Sequence, residues 1–143
     1  MAEAQIKYAQ GQFGYTDLRS GLWSQEAVFQ ATAVIVARNV VAIDTNGRVA
    51  TAATNGTASL ALGVAQDAAT TSGGVSVVVG GIAENVSAAG AIAAGDLVKR
   101  SVTTAGYVSA TATPAAGEVL GVAINASTAN TVDVWVTNSK ATT

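Results

Sequence analysis

The chain contains no cysteine, no histidine and a single proline among its 143 residues. Without cysteine it forms neither a disulfide nor a thiolate metal site. Without histidine, a Ser-His-Asp triad, a Cys-His pair and the usual zinc ligand sets cannot be built. The carboxylates outside the N-terminal segment are scattered along the sequence, at Asp44, Asp67, Glu84, Asp96, Glu118 and Asp133. We therefore expect no enzyme, no metal and no cofactor.

Charge and long apolar runs are also scarce. Charged residues make up 11% of the chain, and seven basic against nine acidic residues leave a net charge of −2. Binding to nucleic acid needs a basic stripe, whereas only Lys99 and Arg100 adjoin here. The longest apolar stretch (31–43) contains Arg38 and is shorter than the roughly 20 residues of a membrane helix. We expect no nucleic-acid partner, no membrane span and no signal peptide.

What the chain does have is Ala, Val, Thr, Gly and Ser, arranged in short β-branched segments that predict strands. These segments are TAVIVAR (32–38), VSVVVG (75–80) and TVDVWVT (131–137). In the last one, alternation places Val132, Val134 and Val136 on one face and Trp135 on the other, the pattern of a half-buried strand. A valine face in the core would leave Trp135 at a subunit or partner surface.

Two further segments are predicted from their glycines. Asn46-Gly47 is favoured in two-residue type I′ turns, in which both positions need positive φ, so we expect a hairpin there. The segment 83–96 has the alanine content of a short helix, but Gly90 and Gly95 interrupt it. We therefore expect strand and turn rather than helix.

Most of the remaining sequence belongs to an internal repeat. Residues 47–81 align with residues 106–138, and both contain the sequence LGVA, at 62–65 and 120–123. The repeat spans about 58 residues and occurs twice, in half-repeats at about 40–81 and 97–138. Two similar β units in one small chain predict an all-β fold, a small Ala/Gly-rich β-barrel or β-sandwich built from two similar halves.

The aromatic residues are concentrated near the N-terminus. Five of the seven rings lie between Tyr8 and Phe29, and only Tyr107 and Trp135 follow. In one interpretation these rings supply bulk to a small-residue core. In the other, residues 1–30 form an extended arm on a β domain at 31–143. The arm would dock through the residue types that dominate interface hot spots, namely Phe13, Tyr15, Arg19, Leu22 and Trp23.

A family resemblance rests on the second half of the chain. The order of GAIAAGDLV (90–98), a turn at Gly106, AAGEVLGVAI (115–124) and NTVDVWVTN (130–138) resembles the head decoration, or capsid cement, proteins of tailed bacteriophages. The resemblance covers about residues 32–138 and leaves out the aromatic N-terminal segment.

The resemblance implies a non-enzymatic structural protein of the virion. Such a protein binds the outer surface of a phage capsid, with the major capsid protein as its partner, and stabilises the shell. The resemblance also implies a homotrimer. A carbohydrate-binding or adhesive β module is the alternative, and for it we expect several exposed aromatic rings within the β domain.

Overall fold

The structure, a computed structural model, describes residues 24–54, 61–115 and 118–137, and in these residues it contains β-strands and no helix. The strands are β1 Ser24–Gln30, β2 Val40–Ile43, β3 Val49–Thr51, β4 Ala61–Ala65, β5 Gly74–Ser87, β6 Leu97–Arg100, β7 Val108–Ala110, β8 Val119–Ala123 and β9 Thr131–Val136. They form one curled antiparallel sheet of nine strands, so the all-β prediction is confirmed. The described residues contain no helix that could cross a membrane.

The strand order contains the same arrangement twice. It runs β3-β2-β4-β5-β9-β8-β6-β7, and β1 pairs with β5 beside this path. We call Ser24–Val79 unit one and Gly81–Val136 unit two. The long strand β5 is shared, because its first part ends unit one and its second part begins unit two. The prediction of two similar halves is confirmed, and the structural repeat begins earlier than the sequence alignment does.

Backbone hydrogen bonds repeat between the units as well. Ala65 N donates to Asn39 O at 2.9 Å in unit one, and Ala123 N donates to Asp96 O at 2.8 Å in unit two. Ala69 N donates to Ile35 O, and Ser127 N donates to Ile92 O, both at 2.9 Å. The two units therefore share the same backbone framework at these positions.

The core has two parts. The inter-unit core, which packs residues of both units together, includes Val40, Val64 and Val78 from unit one and Val98, Ala123 and Val134 from unit two. The outer core lies in unit one and includes Ile35, Val41, Ala65, Val75 and Val77, with Phe29 packed against it. Unit one therefore buries both faces of its sheet.

The LGVA motif is explained by its glycine. A Cβ atom on Gly63 would overlap the carbonyl oxygen of Val78, and one on Gly121 would overlap the carbonyl oxygen of Trp135. Both glycines therefore allow β4 and β8 to approach the neighbouring strand closely. This requirement accounts for the identical motif in the two units.

The segment 32–38 differs from its prediction. It is not a strand of the sheet, and only Ile35 forms a bridge, to Ala69. Ile35 is fully buried in the outer core, while Val34 and Val36 on either side are exposed. The β-branched composition that predicted a strand belongs instead to a covering segment that inserts one side chain, Ile35, into the outer core.

The hairpin at Asn46-Gly47 is confirmed, but the two-residue type I′ turn is wrong. Ile43 pairs with Val49, Asp44 N donates to Arg48 O at 2.7 Å, and Gly47 is the one residue of the dipeptide with positive φ, at 76°. The Asp44 carboxylate accepts hydrogen bonds from Asn46 N and Arg48 N. These bonds stabilise a three-residue turn instead.

The glycine-interrupted segment 83–96 agrees with its prediction. Its first residues complete β5, a single bridge joins Ala88 to Val108, and turns follow. Gly90 and Gly95 have φ values of 87° and 89°, which a helix cannot accommodate.

Candidate docking surface

Trp135 is an exposed residue on a strand whose opposite face is buried. Val132, Val134 and Val136 are buried, whereas Trp135 keeps 57% of its surface exposed. The predicted alternation in β9 is therefore confirmed. The role of Trp135 in binding a partner stays a prediction.

The strands beside Trp135 extend it into an apolar row. Trp135 pairs with Ile82 on one side and with Val122 on the other, and Val122 pairs with Leu97. Leu97 is 38% exposed, and Ile82 and Val122 are half-buried. We call these four residues the unit-two row. Hydrophobic side chains in register on four adjacent strands form a continuous surface rather than isolated exposed residues.

The sequence prediction of this surface included Trp135 and missed the other three residues. Ile82, Val122 and Leu97 lie in different segments of the chain, and only strand register brings them together. The aligned LGVA motifs contain Val122, but the shared motif does not indicate which face of the strand is exposed. Phe13, Tyr15, Arg19, Leu22 and Trp23 lie outside the described residues.

Polar groups at the rim of the row are held by local bonds. Asp133 accepts hydrogen bonds from Asn85 N at 2.9 Å and from the Asn125 side chain at 3.0 Å. At the other end, Lys99 Nζ lies 3.2 Å from Glu118 Oε2. A hydrogen bond from Ala115 N, followed by the contact with Lys99, lowers the pKa of Glu118. The rim is thus polar and carries both charges, as at many protein interfaces.

A polar cleft lies next to the row and shares Ile82 with it. This cleft of about 360 Å³ is lined by Glu26, Arg38, Gln66, Asp67, Ile82 and Glu84. Arg38 Nη1 donates to Gln66 Oε1 at 2.6 Å, and Gln66 Nε2 donates to Glu26 Oε2 at 3.2 Å. Ser76 Oγ donates to Glu26 Oε1 at 2.7 Å. These side chains bind one another, so the network links β1 and β5 to Gln66, which follows β4, and to Arg38, which precedes β2.

This network predicts acid sensitivity. The hydrogen bond from Ser76 lowers the pKa of Glu26 below its usual value of 4.5, with smaller contributions from Gln66, Ser24 and Arg38. A lowered pKa in the folded state means that the ionised carboxylate stabilises the fold above pH 4.5. That contribution is lost as the pH falls through the lower folded pKa.

We expect Glu26→Gln to lower the free energy of unfolding at pH 7 by less than about 1 kcal/mol, because the side chain is exposed to solvent. The free energy of unfolding should also depend less steeply on pH below 4.5. Urea unfolding at pH 7 and at a series of acidic pH values measures both effects. Glu84→Gln, in the same cleft but outside the network, is the matched control. Equal acid sensitivity in the wild-type and Glu26→Gln proteins would contradict the assignment.

The described residues offer little for catalysis. No group of three or more His, Cys, Asp or Glu side chains among them could hold a metal ion. Concave regions among the described residues include the polar cleft and a shallow groove beside the β2–β3 hairpin, lined by Ile43, Asp44 and Thr45 among others. In the polar cleft, the Ser76 hydroxyl that lies beside the Glu26 carboxylate is part of the hydrogen-bond network described above.

Comparison with known proteins gives a structural likeness alone. No protein-family model matches the sequence, and no curated protein matches it. Among solved structures, the chain is similar to the head fiber gp8.5 N base in bacteriophage phi29, with a TM-score of 0.60 and 16% sequence identity. The alignment covers 83% of this chain and 98% of that chain. At this identity the likeness shows a shared fold.

Proposed function

We propose that this protein is a non-enzymatic structural component of a bacteriophage virion. In this proposal it binds the outer surface of the capsid, contacts the major capsid protein and stabilises the shell. The observation that carries the proposal is the fold shared with a head fiber base over 83% of the chain. The resemblance of residues 32–138 to capsid cement proteins points to the same class of protein independently of the fold.

The proposed capsid contact is the N-terminal arm. The arm was expected to span residues 1–30, but Ser24–Gln30 form β1 and pair with β5, so the proposed arm shortens to residues 1–23. Its anchors are Phe13, Tyr15, Leu22 and Trp23, with Arg19 as the polar contact. A short arm binds weakly on its own, because ordering each residue costs about 1–2 kcal/mol.

Several arms on one oligomer overcome this weakness, since each bound arm raises the effective concentration of the others. We therefore propose a homotrimer. Light scattering on the purified chain checks this, with a mass three times that of the 14.1 kDa chain as the expected result. A stable monomer at micromolar concentration would contradict it.

The carbohydrate-binding alternative has less support. It requires several exposed rings in the β domain, and in the described residues Phe29 and Tyr107 are half-buried while Trp135 is exposed. One exposed ring within an aliphatic row is less suited to stacking on a sugar than to packing against protein.

The capsid proposal is tested by binding to shells. Capsids assembled from the major capsid protein are mixed with the purified full chain and separated by sedimentation. We expect the chain to sediment with the capsids and to raise the temperature at which they disassemble. A chain that stays in the supernatant at saturating concentration, or that binds without changing capsid stability, would refute the proposed role.

A further inference from the structure

The described part of the N-terminal region begins directly beside the unit-two row. Ser24, the first residue of β1, pairs with Gly81, and the row residue Ile82 follows Gly81 on β5. Val136 pairs with Gly81 from the other side. In the described residues, the strand that pairs with β5 beyond Gly81 is β9 alone. The side of β5 that β1 occupies is therefore an open strand edge next to Ile82.

The register of β1 determines which residue would reach this edge first. β1 and β5 are antiparallel, with Ser24 opposite Gly81. Continuing the same register by one residue places Trp23 opposite Ile82. Residues that pair directly across two strands lie on the same face of the sheet. Trp23 would therefore lie on the exposed face, which carries the unit-two row.

The sequence before Ser24 is suited to this position. In the same register Leu22 would lie opposite Ala83, which is fully buried in the inter-unit core. Trp23 would lie beside Ile82, and an aromatic residue next to a β-branched residue is a favourable cross-strand pair. An unpaired strand edge readily accepts another strand. The segment before Ser24 is the nearest one available, because it continues β1 without an intervening loop.

We propose that Leu22 and Trp23 continue β1 along the open edge of β5, so that Trp23 packs beside Ile82. The unit-two row then extends over five adjacent strands, and Trp23 and Trp135 lie on either side of Ile82 on one face. The N-terminal arm and the row are thus one docking surface, which one partner covers. The inference rests on the proposed function for the identity of that partner, whereas the position of Trp23 is independent of it.

Cysteine cross-linking within the full chain tests the position of Trp23, since the chain has no cysteine of its own. Trp23→Cys/Ile82→Cys places two thiols at opposite positions of neighbouring strands, within reach of a disulfide. After mild oxidation we expect monomer-sized chains of this variant to lose their free thiols at least about fivefold faster than the control. The control, Trp23→Cys/Val122→Cys, separates the thiols by three strand spacings, roughly 14 Å, which is too far for a disulfide.

Two results of the cross-linking would overturn the inference. Equal thiol loss in the two variants would mean that residue 23 has no fixed position beside Ile82. Links that form mainly between two chains would mean that the segment before Ser24 pairs with a neighbouring copy instead.

Capsid binding by alanine variants tests whether the arm and the row act as one surface. Trp23→Ala and Trp135→Ala should each weaken sedimentation with capsids at least about tenfold, as expected for interface hot spots, while remaining folded by circular dichroism. Val102→Ala, at an exposed valine outside the row, should bind as the wild type does. Normal binding by Trp135→Ala beside impaired binding by Trp23→Ala would contradict the shared surface. If the wild-type chain itself binds no capsids, the capsid role is refuted, and the cross-link still decides the position of Trp23.

Discussion

Gly121→Ala and Gly63→Ala are each expected to destabilise the protein severely, by on the order of 3–5 kcal/mol. The new Cβ atom would overlap a backbone carbonyl oxygen of the adjacent strand, that of Trp135 or of Val78. A backbone atom cannot move aside as a flexible side chain does, so β8 and β9, or β4 and β5, must separate locally. Globular domains have only about 5–15 kcal/mol of stability in total.

Urea unfolding followed by circular dichroism measures this effect as a shift of the midpoint. Gly74→Ala is the matched control, because it also lies in a strand and its Cβ would meet Val28 Cγ1 at an ordinary 3.6 Å. If Gly121→Ala unfolds at the same urea concentration as Gly74→Ala, the close approach of β8 and β9 is wrong.

Deleting residues 1–23 is expected to leave a folded β domain that no longer attaches to capsids. The described sheet, with β1 and both parts of the core, is formed by residues that this deletion retains. The deletion removes Phe13, Tyr15, Leu22 and Trp23 together. Substituting Phe13 and Trp23 by alanine should reproduce much of the loss, at roughly 2 kcal/mol or more for each hot spot.

Two comparisons make the deletion informative. Gln12→Ala with Ser20→Ala, in the same segment but without apolar side chains, should bind capsids normally. Extending the deletion to residue 30 removes β1, which pairs with β5 along its length and contributes Phe29 to the outer core. The chain that lacks residues 1–30 should therefore unfold at a lower urea concentration than the chain that lacks residues 1–23. If deletion of 1–23 alone unfolds the chain, the aromatic residues belong to the core and the arm hypothesis is wrong.

The repeat and the β class could be predicted from the sequence because they depend on local spacing. Alternation in β9 placed Trp135 correctly on the face opposite Val134, and the paired LGVA motifs marked the two units. The turn at Asn46-Gly47 was harder, because a carboxylate two residues before Asn46 stabilises a longer turn.

The sequence could not predict which face of each unit is buried and which is exposed. Val64 and Val122 occupy the same position in identical motifs, yet Val64 is buried between the units and Val122 lies on the open row. Burial at this position depends on whether another part of the molecule packs on it, as unit two packs on Val64, and no local sequence pattern contains that information. The covering segment 32–38 is a second example. Its β-branched composition predicts a strand, but its buried residue Ile35 packs into the outer core and the segment does not join the sheet.

The shared strand β5 also brings the two ends of the described sheet together. Ser24, where β1 begins, and Val136, where β9 ends, both pair with Gly81 and lie on its two sides. Two strand spacings separate them, roughly 10 Å. A short peptide could therefore join these ends, and the chain could be opened instead at the exposed β2–β3 turn. The fold is thus suited to circular permutation, with every strand pairing retained and only the order of the strands along the chain changed.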